Sequence, residues 1–211
     1  MRILIIGAGK VGSSVAGNLV SESNDITIVD TNKAKIAEIQ SNYDLQGIVG
    51  DATSPSVLAD AGAVDADMII AVTANDETNL AVTLIAEQLF NVPSRIARVR
   101  NDELREYPAL LSTSGFRATS VIWPEEAITN YIVQLSTYPE ALQVIEFSDG
   151  DVVLMSVKIV SSSKMCGRPV SALQDELPRV KVQIVSIYRQ KYRLGDIDGK
   201  TVLEAGDEIF F

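Results

Sequence analysis

Short apolar runs alternate with segments of helical periodicity from Ile3 to Trp123, and this alternation constrains the fold more than any other feature of the sequence. The first run is wholly apolar, as expected of a strand that is covered on both faces in a parallel sheet. A chain in which strands and helices alternate in this way is predicted to form an α/β fold with a doubly wound, parallel, Rossmann-like sheet of six strands. The predicted strands are Ile3–Ile6, Asp25–Asp30, Gly47–Gly50, Met68–Val72, Arg95–Arg100 and Ser120–Trp123. A helix from about Asp102 to Leu111 is predicted to follow the fifth strand.

The pattern changes after the sixth predicted strand. A helix is predicted over Glu125–Leu135, where Ile128 and Ile132 share one face. The segments that follow contain turn residues and strand candidates at Val152–Val160, Val182–Tyr188 and Glu208–Phe211, which indicates a second, smaller unit. We therefore predict a nucleotide-binding domain over residues 1–138, which includes this helix, and a small α+β domain over residues 139–211.

The composition excludes several classes of function. The 211 residues include no histidine, so neither a Ser-His-Asp device nor a histidine-based metal site can form within this chain. A net charge of −10 disfavours nucleic acid as a partner, because phosphate backbones require clustered Lys and Arg. An anionic nucleotide remains compatible with this charge, since it needs only local positive groups.

A cytoplasmic location is expected. No apolar run approaches the roughly 20 residues of a membrane span, and the N-terminus lacks the pattern of a signal peptide. The single cysteine, Cys166, permits no internal disulfide. Two carboxylate pairs, Asp149–Asp151 and Asp196–Asp198, lie in turn-like segments where Asp bonds its own backbone, so no metal site is predicted. The last residues, DEIFF, keep a strand pattern without a polar tail, which indicates a piece of a longer protein.

A glycine motif, G-A-G-K-V-G, lies between the first predicted strand and the helix that follows it. Gly7 permits a tight turn, Gly9 lets the backbone approach a pyrophosphate, and Gly12 lets the helix pack close to the sheet. The free N–H groups at the start of that helix attract phosphates. The alternative is a glycine turn with no ligand. The candidate contacts in the motif are Gly7, Ala8, Gly9, Lys10, Val11 and Gly12.

An acid ends the second predicted strand. Asp30 is placed to accept hydrogen bonds from both ribose hydroxyls of an adenosine, and Thr31 follows it. Because this carboxylate would repel a 2′-phosphate, NAD or an adenine nucleotide is favoured over NADP.

Two further strand ends carry candidate contacts. Asp51 and Ala52 follow the third strand, where the adenine pocket is expected; the alternative is that Asp51 only caps a helix. The segment Thr73, Ala74 and Asn75 follows the fourth strand, at the crevice where open α/β sheets bind ligands. Here too the alternative is a capping role for Asn75.

Arg98 and Arg100 alternate with Val99 and are therefore predicted to share one side of the fifth strand. Such a pair in an acidic protein forms a reasonable phosphate site. The alternative is an exposed sheet edge.

With these motifs in place, the sequence resembles the Trk-type potassium-uptake regulatory proteins and, more broadly, the cytosolic RCK or KTN domains. The resemblance rests on IIGAGKVGSSVA, on VGDAT, on AVTANDETN and RVRN, and on the C-terminal pattern GRPVSAL…DGKTVLEAGDEIFF. It covers the whole chain, and it indicates the N-terminal one of the two halves that Trk members carry in tandem.

The resemblance implies a non-catalytic regulatory subunit at the inner face of a membrane potassium transporter or channel. Its domains pair through the helix after the sixth strand into a dimer or larger ring, whose shape responds to bound NADH, NAD, ATP or ADP. The alternative class is an NAD-dependent oxidoreductase, which the absent histidine and the small second unit disfavour. The contacts implied by the resemblance are Gly7, Gly9, Gly12, Asp30, Asp51, Thr73, Arg98 and Arg100.

Overall fold

The computed structural model of the chain describes residues 1–21, 23–112, 114–147, 151–176 and 181–211. These residues divide into two compact units, Met1–Ala127 and Ile128–Phe211. The helix Pro124–Thr137 begins in the first unit and ends in the second. The domain boundary at residue 138 stays a prediction.

The first unit contains a parallel sheet with strand order β3-β2-β1-β4-β5-β6. The prediction of a doubly wound, six-stranded Rossmann-like sheet is therefore confirmed. Its elements, in chain order, are β1 (Arg2–Ile6), α1 (Lys10–Leu19), β2 (Asp25–Asp30), α2 (Lys33–Asn42), β3 (Gln46–Val49), α3 (Pro55–Asp60), β4 (Met68–Ala71), α4 (Asp76–Phe90), β5 (Ser94–Arg98), α5 (Pro108–Leu111), β6 (Ser120–Ile122) and the start of α6 (Pro124–Thr137).

Both faces of this sheet are covered by apolar helix faces. On one face Leu4 and Ile69 pack into a cluster with Val82 of α4, and on the other Ile5 packs into a cluster with Ile36 of α2. Since the chain leaves β1 toward β2 on one side and returns to β4 on the other, a crevice opens above the carboxyl ends of β1 and β4. This crevice is where a ligand is expected.

Two predictions about the first unit are wrong in detail. The helix expected from Asp102 to Leu111 is instead a 3₁₀ segment, Asp102–Glu106, followed by α5. Pro108 explains the break, because proline disfavours helical backbone in the residue before it, and Tyr107 has φ −121° and ψ 59°. The fifth strand also ends at Arg98 rather than Arg100.

The second unit contains a five-stranded sheet of order β10-β9-β11-β8-β7, whose described pairings are antiparallel. One short helix lies in the same unit, so the predicted small α+β fold is confirmed. The elements are the end of α6, then β7 (Ala141–Phe147), β8 (Val152–Lys158), α7 (Ala172–Glu176), β9 (Ser186–Arg189), β10 (Tyr192–Arg193) and β11 (Glu208–Phe210).

An ion pair anchors β9 in this unit. The Asp207 carboxylate is fully buried and accepts hydrogen bonds from the Arg189 guanidinium, 2.8 Å from Nε to Oδ1 and 2.8 Å from Nη2 to Oδ2. The Glu204 backbone N–H donates to the same carboxylate over 2.8 Å. Burial raises the pKa of the Asp207 carboxyl, but these hydrogen bonds outweigh burial and hold that pKa below its ordinary value.

Among the carboxylates of the two predicted turn pairs, Asp198 bonds as predicted. The Asp198 carboxylate accepts from the Lys200 backbone N–H over 2.9 Å, which is the local bonding expected of a turn aspartate. Asp149 lies outside the described residues. Within the described ranges, no helix combines the length and the apolar character that a membrane crossing requires.

Candidate functional site

A cleft of about 630 Å³ lies at the carboxyl ends of β1 to β5. Each wall comes from a segment that directly follows a strand, because parallel strands bring their carboxyl ends to one edge of the sheet. The predicted residues that line it are Gly7, Gly9, Lys10, Val11, Asp30, Thr31, Asp51, Ala52, Thr73, Ala74, Asn75 and Arg98. Ala8, Gly12 and Arg100 are not among the lining residues.

Two glycines of the motif are required by the fold. Gly7 has φ +104°, and a Cβ there would lie 3.1 Å from the backbone of Thr73. Gly12 is buried against the loop before it, so that a Cβ would lie 1.8 Å from the carbonyl oxygen of Gly7. Gly12 therefore lets α1 pack directly on the turn that ends β1.

Gly9 differs from these two glycines. It caps the N-terminus of α1 with φ −77°, which any residue can adopt. Apart from Gly9 and its two chain neighbours, none of the described residues has an atom within 4 Å of the position that a Cβ would take. The protein's own packing gives no reason for glycine at this position, whereas a ligand lying against the backbone does.

Asp30 holds the glycine loop to the end of β2. Its Oδ2 accepts from the Ala8 backbone N–H over 2.7 Å, and its Oδ1 accepts from the Asn32 backbone N–H over 2.8 Å. Each carboxylate oxygen keeps a further lone pair, since an ionised carboxylate has about four acceptor sites. The carboxylate at the cleft can therefore accept additional hydrogen bonds from a ligand. Ala8 helps to position this carboxylate through its backbone N–H.

Asp51 bonds locally as well as lining the cleft. Its Oδ1 accepts from the Thr53 backbone N–H over 2.9 Å and from the Thr53 hydroxyl over 2.8 Å. The backbone hydrogen bond from Thr53 is the main reason that the pKa of Asp51 is lowered, so the carboxyl stays ionised near neutral pH. Asp51 does not cap α3, whose N-cap is Ser54; its side chain bonds to Thr53 outside the helix and lines the cleft.

The segment after β4 is ordered by hydrogen bonds of its own side chains. The Asn75 Oδ1 accepts from the Thr78 backbone N–H over 2.6 Å and so caps α4. The Thr73 hydroxyl donates to Asn79, a fully buried residue of α4 that the sequence analysis did not single out. A buried amide one turn inside α4, on the face that continues with Val82 and Ala86, was the available signal.

The two arginines have different surroundings. Arg98 lines the cleft, and its Nε is buried without a hydrogen-bond partner among the described residues. Arg100 lies beyond the strand, where its guanidinium donates to the Ala74 carbonyl and its Nε lies 4.0 Å from Asp76 Oδ1. A buried donor without a partner is costly, and a ligand anion beside Arg98 would satisfy it.

Acidic and basic side chains both line the cleft. The carboxylates of Asp30 and Asp51 lie at the ends of β2 and β3. The cationic lining residues are Lys10, Lys35 and Arg98. Lys35, which was not predicted from the sequence, lies in the first turn of α2, five residues after Asp30 in the chain. The site can therefore accept a ligand with hydroxyl groups at one end and phosphates near its middle.

A second exposed feature is the apolar surface of α6. Ile128 is 61% exposed and Ile132 is 55% exposed. Tyr131 and Leu135 fall on the same stripe at helical spacing, and both are exposed. A stripe of this kind on a single chain indicates a surface that another protein covers.

Known protein families match most of the chain. Residues 3–124 match the TrkA-N domain and residues 154–211 match the TrkA-C domain. The Trk system potassium uptake protein TrkA of Vibrio alginolyticus is 45% identical over 212 residues, which are 100% of this chain and 46% of that protein. A TrkA homolog of Methanothermobacter thermautotrophicus is 30% identical over 212 residues, 99% of this chain and 92% of that protein. The chain thus spans about half the length of the first curated relatives it matches.

Solved structures share the fold. The GsuK channel bound to NAD superposes with a TM-score of 0.64 at 19% identity, over 99% of this chain and 36% of that chain. GsuK bound to ADP superposes with a TM-score of 0.54 at 21% identity, over 66% of this chain and 35% of that chain.

Proposed function

Because the chain belongs to the TrkA family of potassium uptake proteins, we propose that it is a nucleotide-sensing regulatory subunit of a membrane potassium transporter or channel. One observation carries the proposal: Gly9 has open space above its backbone, in a cleft that also contains Asp30 and Arg98.

The ligand is an adenine nucleotide: NAD or NADH, or ATP or ADP at the same site. Its phosphates lie against Gly9 and the start of α1, where the helix N-terminus favours negative charge. Its adenosine ribose donates to Asp30, and its second half extends past Thr73 toward Arg98. The structures of GsuK with NAD and with ADP support such a ligand on this fold.

Regulation requires that the nucleotide binds two arrangements of the assembly unequally. A ligand with equal affinity for both arrangements shifts nothing, however tightly it binds. Nucleotides that differ in phosphate charge near Arg98 provide such a difference. The membrane partner then responds to the arrangement that the bound nucleotide favours, and the subunit acts at the cytoplasmic face of the membrane.

The exposed stripe of α6 is the surface through which two copies pair. A two-fold interface brings the same patch of both copies together, which suits a single apolar stripe. Ile128→Asp combined with Ile132→Asp should therefore convert the assembled protein into single chains, because two buried charges would have no partners in the interface. Mass in solution, measured by light scattering, checks this.

The matched control for the stripe is Asn130→Asp combined with Gln134→Asp, which adds the same charge at polar positions of α6. Its assembly should equal that of the unmodified protein. Equal dissociation of both double variants, or of neither, would remove the stripe as the pairing surface.

Asp30 is expected to set the preference for NADH over NADPH. Asp30→Asn keeps one acceptor oxygen and removes the charge, so NADH affinity should fall by about tenfold and the preference over NADPH should narrow. Titration of the protein with NADH and with NADPH measures both affinities. The control is Asp60→Asn, at an exposed site at the end of α3, which changes the net charge by the same amount. An unchanged preference in the Asp30 variant would show that the carboxylate does not face the ribose.

The proposal is tested by titrating the protein with NADH, NAD, ATP and ADP while recording its mass in solution. We expect one site per chain and a nucleotide-dependent change in assembly. The rival class, an NAD-dependent oxidoreductase, predicts substrate-dependent oxidation of NADH with a panel of carbonyl compounds. Turnover at enzyme-like rates would overturn the regulatory assignment.

A further inference from the structure

Asn79 uses its entire hydrogen-bonding capacity inside the protein. Its side chain is 0% exposed. Its Oδ1 accepts from the Thr73 backbone N–H over 2.9 Å and from the Thr73 hydroxyl over 2.7 Å. Its Nδ2 donates to the Thr73 carbonyl over 3.2 Å and to the Arg98 carbonyl over 2.9 Å. Two acceptor and two donor functions are all that an amide offers.

These bonds connect two separate walls of the cleft. Thr73 belongs to the segment after β4, whereas Arg98 ends β5, and Asn79 bonds to the backbone of both. One turn earlier in α4, Asp76 Oδ2 accepts from the backbone N–H groups of Arg100, over 2.8 Å, and Asn101, over 2.9 Å. The start of α4 thus holds the ends of β4 and β5 at a fixed separation.

The separation of β4 and β5 matters because Arg98, at the end of β5, lines the cleft. The buried Nε of Arg98 has no hydrogen-bond partner among the residues that the structure describes. The direction of its side chain depends on how firmly its backbone is held. The adenosine half of a ligand lies on the far side, over β2 and β3, where Asn79 makes no contact. The two halves of the cleft therefore depend on different residues.

We propose that Asn79 is a positioning residue that orients Arg98 and the Thr73 segment toward the part of the ligand beyond the adenylate group. The proposal rests on the proposed function and assigns different parts of the ligand to different residues of the site. Asn79 governs affinity for the second phosphate, and the glycine loop with Asp30 governs affinity for the adenylate.

The test compares AMP, which has one phosphate, with ADP, which has two. Asn79→Asp keeps acceptors for Thr73 but replaces the amide donor that faces the Arg98 carbonyl with an oxygen. ADP affinity should fall by about tenfold or more, while AMP affinity changes by about twofold or less. A role in stability alone would lower both affinities equally or change neither.

Thr83→Val is the matched control. Thr83 is also fully buried on α4, one turn further along, and its hydroxyl lies 2.9 Å from the Phe116 carbonyl oxygen, away from the cleft. This variant should lower the melting temperature and leave the ratio of ADP to AMP affinities unchanged. If the ratio changes as much in Thr83→Val as in Asn79→Asp, the positioning role is wrong.

A double-mutant cycle adds a second readout. Arg98→Gln alone should lower ADP affinity by about tenfold, but by less than about threefold in the Asn79→Asp background, because neighbouring groups that act together are not additive. Additive losses would contradict a role of Asn79 through Arg98.

A ligand-free measurement separates this proposal from the function itself. In the absence of nucleotide, Asn79→Leu, which removes the acceptor of the Thr73 backbone N–H, should speed hydrogen exchange at the Thr73 amide and leave the Val82 amide in the middle of α4 unchanged. Failure of the unmodified protein to bind AMP or ADP would refute the proposed function, and unchanged exchange at Thr73 would refute the positioning.

Discussion

Gly9→Val should weaken nucleotide binding strongly and leave the fold intact. A valine Cβ at this position lies more than 4 Å from the atoms of every described residue other than its two chain neighbours, and the backbone there is extended. The side chain instead fills the space that the ligand phosphates would occupy. We expect NADH and ADP affinities to fall on the order of 100-fold, which corresponds to about 2.7 kcal/mol. Fluorescence of bound NADH measures the loss, and thermal unfolding measures the fold.

Two further glycines provide the controls. Gly195→Val, at a position that is equally open but lies in the second unit, should change neither binding nor stability. Gly12→Ala, in contrast to Gly9→Val, should lower the free energy of unfolding, because its Cβ would lie 1.8 Å from the Gly7 carbonyl oxygen. Overpacking of this kind costs about 1–3 kcal/mol or more of unfolding free energy. Full NADH affinity in a well-folded Gly9→Val protein would mean that the cleft is not the nucleotide site.

In the Asp207→Ala variant, the second unit should unfold at a much lower urea concentration than in the unmodified protein. The substitution removes the partner of Arg189 from a site where the carboxylate is 0% exposed and the Arg189 side chain is 29% exposed. Breaking a buried ion pair by deleting one member costs about 3–5 kcal/mol of unfolding free energy. Urea unfolding, followed with a probe in the second unit, measures this cost.

Glu204→Gln is the matched control, because Glu204 contacts the same Arg189 at a position where its own side chain is 59% exposed. An exposed ion pair contributes about 0–1 kcal/mol, so this variant should unfold close to the unmodified protein. Equal losses in the two variants would contradict the importance assigned to burial.

The same ion pair predicts a pH dependence with a defined sign. Hydrogen bonds hold the pKa of Asp207 in the folded protein below its ordinary value, despite the opposing effect of burial. A group whose folded pKa is lowered contributes its full stability above the unfolded pKa, about 3.9 for Asp. The difference in unfolding free energy between the unmodified protein and Asp207→Ala should therefore shrink as pH falls below about 4.

The sequence predicts the first unit well because its signals are local. The apolar strands β1 and β4 and the glycines between β1 and α1 need no information from distant residues. The position of Arg100 is different. The alternation with Arg98 indicates one continuous strand, but the backbone N–H of Arg100 instead bonds to Asp76, which lies 24 residues earlier in the chain. A side chain from α4 thus ends the strand, and no local pattern reveals it.

The second unit shows the opposite case. The strand Ala141–Phe147 was not predicted, although it pairs with β8 along most of its length. Its register shifts between Ala141 and Gln143, so the alternation of apolar and polar residues that marks a strand is interrupted at its start. The strand predicted over Val182–Tyr188 begins only at Ser186, because pairing with β11 starts there. Pairing partners, rather than local propensity, decide these boundaries.

Hydrogen exchange with and without NADH tests the central claim most directly, because it locates the ligand and does not only detect it. Saturating NADH should protect the amides of the glycine loop around Gly9 and of the segments at Asp30 and Thr73, all of which surround the cleft. Protection confined to the second unit, or no protection at saturating NADH, would contradict the assignment of this cleft as the nucleotide sensor.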